Sequence, residues 1–227
     1  MAVLAVALLL SVTPLGDMLW PAPGDSSERD AGGGSSARKS EALEPGAIPD
    51  SAFLLVEDLD EIALGYDVAD DEHFKKRRLS YLFKLCGEQH TVTPVHDGKP
   101  RQWETDSSPT AVVQFAERFA EGGGVKYLKE VIALSDRCNG VGVEGGGTTH
   151  LRFSDEDFAD NADASFIIRE RNGLSDDYHV FVRQGDVVTE VVLATSGFEE
   201  KENAPAPSIV REVGLRAALR LCAAASC

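Results

Sequence analysis

Basic residues are scarce in this chain: 22 lysines and arginines stand against 38 aspartates and glutamates, a formal net charge of −16. A nucleic-acid-binding face needs surplus positive charge to neutralise phosphates, and docking on anionic lipid needs the same, so this balance argues against both. Close cysteine pairs are missing too. None of the four cysteines has the C-x-x-C spacing of a zinc knuckle or a redox dithiol. There is no H-E-x-x-H, no G-x-S-x-G elbow and no D-x-[DN]-x-[DN]-G calcium loop. The glycine cluster from Val141 to Gly147 leads into Thr148, Thr149 and His150 rather than the Gly-Lys-Ser/Thr of a phosphate loop, so it reads as a turn. His73, His90, His96, His150 and His179 are scattered, and His90 with His96 would bracket a metal only if a third ligand joined them. No catalytic residue, metal or cofactor is therefore assigned.

What is present begins with Ala2 to Val12, an apolar run as long as a signal-peptide core and too short for a full membrane span. No Lys or Arg precedes Arg29, a departure from the basic start such a segment normally has, and no lipobox cysteine follows. Residues 1–20 are read as a signal peptide or signal anchor. Residues 21–47, made of Pro, Gly, Ser and charge, offer nothing to bury and read as a disordered linker. Residues 48–227 read as a single folded domain, with any membrane contact confined to the N-terminal segment.

An exported chain can keep disulfides, and Cys86, Cys138, Cys222 and Cys227 allow three pairings. The expected one joins Cys86 to Cys138 and Cys222 to Cys227. The first bond would staple a loop of roughly 50 residues, worth about 3–4 kcal/mol on the chain-entropy model.

Hydrophobic periodicity centres on Tyr178 to Thr195. Tyr178, Val180 and Val182 share one face of a strand, Gly185 and Asp186 turn the chain, and Val187 to Leu193 returns. That apolar face must be covered. Pro207 to Cys222 is the expected cover, with Ile209, Val210, Val213, Ala217 and Leu221 at helical spacing. A second helix, Val125 to Cys138, carries Val125, Leu128, Val131 and Ile132 on one face. Further strands are expected over Ala63–Val68, around Trp103, and over Ala111–Ala120, Thr149–Phe153 and Ser165–Arg171. A short helix capped by Asp50 or Ser51 opens the domain. Lys75 to Arg78 reads as a solvated helix face, and Asp155, Glu156, Asp157, Asp160 and Asp163 as a solvated loop without a calcium ligand order.

In this order, Leu85-Cys86-Gly87, the helix ending at Cys138, the turn Arg183-Gln184-Gly185-Asp186-Val187-Val188 and the ending Arg220-Leu221-Cys222-Ala223-Ala224-Ala225-Ser226-Cys227 resemble the extracellular sensor domain of PknH-type actinobacterial serine/threonine kinases and related free-standing secreted proteins and lipoproteins. The resemblance implies an α+β domain, a twisted, mainly antiparallel sheet flanked by helices and braced by two disulfides, with a cleft for an unidentified extracellular ligand and no catalytic residues. The chain lacks the kinase domain of the one group and the lipobox of the other.

The function expected from sequence is an exported, non-catalytic sensor-like module, secreted or tethered at the cell surface and monomeric. It would bind an extracellular ligand in a cleft or on a sheet face. The alternatives are an envelope-associated protein-interaction module and, more distantly, an extracellular hydrolase. Arg152, Arg169, Arg171 and Arg183 fall on neighbouring strands and would line a groove for an anionic ligand. His179 alternates away from Val180 and is expected to face either solvent or a cleft.

Overall fold

The structure is a computed structural model, and it describes residues 46–60, 67–69, 88–97, 100–105, 108–140, 150–171, 176–195 and 205–225. All lie within one compact unit, Ala42–Cys227. Leu85 to Gly87, the Lys75–Arg78 run, Cys227, the glycine cluster, the leader and the linker up to residue 45 lie outside the described residues.

Long runs that are apolar at consecutive positions cannot leave either sheet face wet, because successive side chains point to opposite sides of a strand. The chain meets this with an antiparallel sheet of eight strands covered on both faces. The strands are β1 (Asp67–Ala69), β2 (Pro94–Asp97), β3 (Arg101–Thr105), β4 (Ser108–Phe119), β5 (His150–Glu156), β6 (Ala164–Arg171), β7 (Asp176–Gln184) and β8 (Val187–Thr195). Their order is β1-β3-β4-β8-β7-β6-β5, and β2 pairs with the far end of β4 on the edge that β3 also uses. The expected α+β class with an antiparallel sheet is what the chain adopts.

The expected hairpin is β7–β8, closed by the two-residue turn between Gln184 and Val187. Gly185 takes φ +57°, as the first position of a II′ turn requires. Tyr178, Val180, Val182, Val187, Val191 and Leu193 face the helix α3 (Pro207–Ala225), which buries Val210, Val213, Ala217, Ala218 and Leu221 on them. At about 1.5–3 kcal/mol for each large apolar side chain taken from water, this interface is a principal source of stability. The helix comes unusually close. A Cβ at Gly214 would stand 2.6 Å from Phe158 Cζ and 2.7 Å from Val180 Cγ1, so only glycine permits this approach.

The opening segment is pinned to the same layer. A 3-10 turn, Asp50–Ala52, and the helix α1 (Val56–Asp60) bury Ala52, Phe53, Leu54 and Leu59 there. Burying backbone away from water demands hydrogen bonds. Leu54 N–H donates to Gln114 Oε1 at 2.8 Å, Gln114 Nε2 donates to Thr189 Oγ1 at 3.0 Å, and the Thr189 hydroxyl donates to Phe115 O at 2.7 Å. Arg220 on α3 clamps Asp58 on α1 through Nε and Nη2 at 2.8 and 2.9 Å.

On the opposite face the helix α2 (Gly123–Cys138) packs Tyr127, Leu128, Val131, Leu134 and Cys138 against Phe115, Phe119, Ile168 and Phe181. The buried stripe is rotated from the one expected: Val125 is exposed and Tyr127 takes the inward place. β2 was not expected from sequence, and Asp155 and Glu156 belong to β5 rather than to the acidic loop. No cysteine among the described residues is a free thiol.

Candidate functional site

The sequence leaves His179 facing solvent or a cleft, and the structure puts it in neither. It is fully buried under α2, because odd-numbered residues of β7 face that layer with Phe181. The register places Ile168 and Val192 directly opposite His179, so Glu170 on β6 and Glu190 on β8 are its diagonal neighbours, within reach of long side chains. Glu190 Oε1 lies 2.9 Å from Nδ1 and Glu170 Oε2 lies 3.2 Å from Nε2. Burial pulls the imidazole pKa down, but the hydrogen bonds to Glu170 and Glu190 and their charge outweigh it and raise it from 6.5 to about 10. The ring is therefore a cation donating from both nitrogens. A doubly protonated imidazole has no lone pair to bind a metal or to take a proton from substrate, and through its two contacts this group fastens three strands together.

Around it lie two more buried polar side chains, Glu117 on β4 and Tyr127 on α2. Desolvation raises the Tyr127 phenol well above its ordinary pKa, and the charges of Glu190, Glu117 and Glu130 push it further. Glu190 Oε2 has no hydrogen-bond partner among the described residues.

The arginines fall into two places. Arg169 and Arg171 meet at the start of β7. Arg169 holds Asp176 as a fork, Nε to Oδ1 at 2.7 Å and Nη2 to Oδ2 at 2.6 Å, with its guanidinium carbon 5.2 Å from the centre of the Tyr178 ring. Arg171 Nε reaches the same Oδ2 at 3.2 Å. Arg152 stands opposite Arg169 in the β5–β6 register and His150 opposite Arg171. Arg183 sits at the other end of β7, where Nη1 meets Asp163 Oδ2 at 3.2 Å and the Gly185 carbonyl at 2.9 Å. The structure thus brings Arg152, Arg169 and Arg171 to one end of the sheet and keeps Arg183 and His179 apart from them.

His90 and His96 have different surroundings. The His90 ring packs edge-on to Tyr127 with 5.6 Å between centroids, while His96 lies on β2 in register with Arg118. No group of three His, Cys, Asp or Glu side chains is placed to hold a metal among the described residues.

Sequence reasoning missed Glu170, Glu190 and Asp176. A signal for Glu190 exists, since a lone carboxylate inside Val187-Val188-Thr189-Glu190-Val191-Val192 must find a partner if the strand is buried on both faces. Asp176 opens β7 just ahead of the apolar run and has no comparable signal.

The architecture these observations define is an α+β domain with a two-sided antiparallel sheet. No family model and no curated protein matches the chain. Among solved structures it is similar to the extracellular domain of PknH from Mycobacterium tuberculosis, with 10% sequence identity and a TM-score of 0.44 over 78% of this chain and 94% of that one. This is a distant likeness of fold.

Proposed function

We propose that the chain is an exported, disulfide-braced, sensor-like domain that binds an extracellular ligand without turning it over, at the β5–β6–β7 end of its sheet on the face that α3 covers. The observation that carries this reading is the convergence of Arg169 and Arg171 on Asp176 beside the Tyr178 ring. The middle of the sheet is filled on both sides, which favours a ligand contact at the end of the sheet. There, half of the Arg171 side chain remains exposed. The sequence resemblance to PknH-type sensor domains supports the class of protein.

An extracytoplasmic setting is supported by Cys138 and Cys222, both in the disulfide-bonded state, since bonded cysteines persist in oxidising compartments. Cys86 and Cys227 are their proposed partners in the pairing Cys86 with Cys138 and Cys222 with Cys227. Among the described residues no helix is long and apolar enough to cross a membrane.

A thermal-shift screen of the full chain against cell-wall fragments, lipids, small anions, nucleotides and divalent metals tests the reading. A ligand at about 100 times its Kd stabilises the fold by roughly 2.7 kcal/mol. A saturable shift with one ligand class, lost in an Arg169→Gln, Arg171→Gln double variant, is the expected result. Silence across the panel would replace it with the protein-interaction reading.

A further inference from the structure

We infer that the ligand is an oxyanion, a phosphate or carboxylate group, and that Asp176 is its built-in competitor. The inference rests on the binding role proposed above and names the ligand class for that same end of the sheet.

His150, Arg171 and Asp176 stand in one row across β5, β6 and β7, and Arg152, Arg169 and Tyr178 in the next. Antiparallel pairing sets directly opposed residues on the same face, so these six positions form a two-by-three grid on the side where Val180 and Ile167 continue into the core beneath α3. Three are arginines and one is an acid. In a chain of net charge −16 this is a local reversal of sign. Exposed charges further off than about 8 Å are largely screened at physiological salt, so an anion at the grid is governed by the arginines beside it.

The existing contacts display the recognition chemistry. The Asp176 carboxylate is gripped by the Arg169 fork through both oxygens, and its Oδ2 also takes Arg171 Nε. Guanidinium forks match carboxylate and phosphate geometry in this way. Arg169 is held in place twice, by Asp176 and by its stacking over Tyr178, so little side-chain freedom remains to be lost when a ligand arrives. Asp176 cancels only part of the positive charge. An incoming oxyanion would take the half-exposed Arg171 first, and a tighter one would displace Asp176 from it.

Calorimetric titration of the full chain with inorganic pyrophosphate and, separately, citrate, at fixed ionic strength, tests this and separates phosphate from carboxylate ligands. Saturable binding of one of them is expected. It should weaken about tenfold or more in Arg171→Gln, as loss of a charge-assisted contact implies, and stay unchanged in Arg137→Gln, whose arginine pairs with Glu88 elsewhere. Asp176→Asn should tighten binding, an effect that a purely structural role for Asp176 would not produce. Absence of saturable binding by both anions, equal losses in the two arginine variants, or weaker binding by Asp176→Asn in a folded protein would overturn the inference. If a panel compound without an oxyanion shifts the melting temperature of the native chain and loses that shift in the Arg169→Gln, Arg171→Gln variant, the anion class fails while the binding reading stands.

Discussion

Glu190 holds His179 from the neighbouring strand at 2.9 Å, with neither side chain reaching solvent. The contact joins β8 to β7, and Glu170 on the far side carries it to β6. Because the imidazole pKa is raised from 6.5 to about 10, the folded state keeps a proton that the unfolded chain gives up. The stabilisation is therefore complete below pH 6.5, declines as pH rises from there, and is gone above about 10. Thermal unfolding followed from pH 6 to 11 should show Tm falling through that window, and His179→Gln should flatten the fall.

The same cluster separates breaking a pair from replacing it. Glu190→Ala leaves the imidazolium paired with Glu170 alone and takes the acceptor from its buried Nδ1–H, which should cost about 1–3 kcal/mol in urea denaturation. Replacing Glu170, His179 and Glu190 together with leucine should recover most of that loss, since removing all three charges leaves none uncompensated. A triple variant no more stable than Glu190→Ala would show that the cluster is not the clamp described.

How α3 packs was legible in the sequence to an unusual degree. Tyr178, Val180 and Val182 at period two, against Val210, Val213, Ala217 and Leu221 at helical spacing, specify both the strand face and its cover. The strand expected over Ala111–Ala120 is β4, although Val113, Phe115 and Phe119 suit helical spacing as well, because β4 is buried on both faces. β2 was hidden because Pro94, His96 and Asp97 are held through backbone pairing to β4 rather than by an apolar pattern. The His179 clamp depends on diagonal reach across three strands, and the parting of Arg183 from Arg169 on which way each residue faces. Neither follows from strand assignments alone.

Gly214 gives a sharper test of the α3 interface. Alanine there must push Phe158 or Val180 aside, and an overpacked core site costs about 1–3 kcal/mol. Leu219→Ala on the same helix removes an exposed side chain and should change stability by no more than about 0.5 kcal/mol. Equal effects from the two in chemical denaturation would contradict the close approach.

The proposed disulfide pairing is read by non-reducing peptide mapping. Cys86 with Cys138 and Cys222 with Cys227 are the expected fragments, and Cys86→Ser should lower stability more than Cys227→Ser because it releases the longer loop. Recovery of Cys86 linked to Cys222 or Cys227 would refute the pairing.

The most direct test of the binding site is nuclear magnetic resonance of the isotope-labelled full chain, titrated with whichever panel compound shifts its melting temperature. Amide perturbations are expected to gather at residues 150–152, 169–171 and 176–178, with α2 and the β7–β8 turn unmoved. Perturbations centred on α2, or on the Asp163–Arg183 corner, would place the ligand elsewhere and contradict this site.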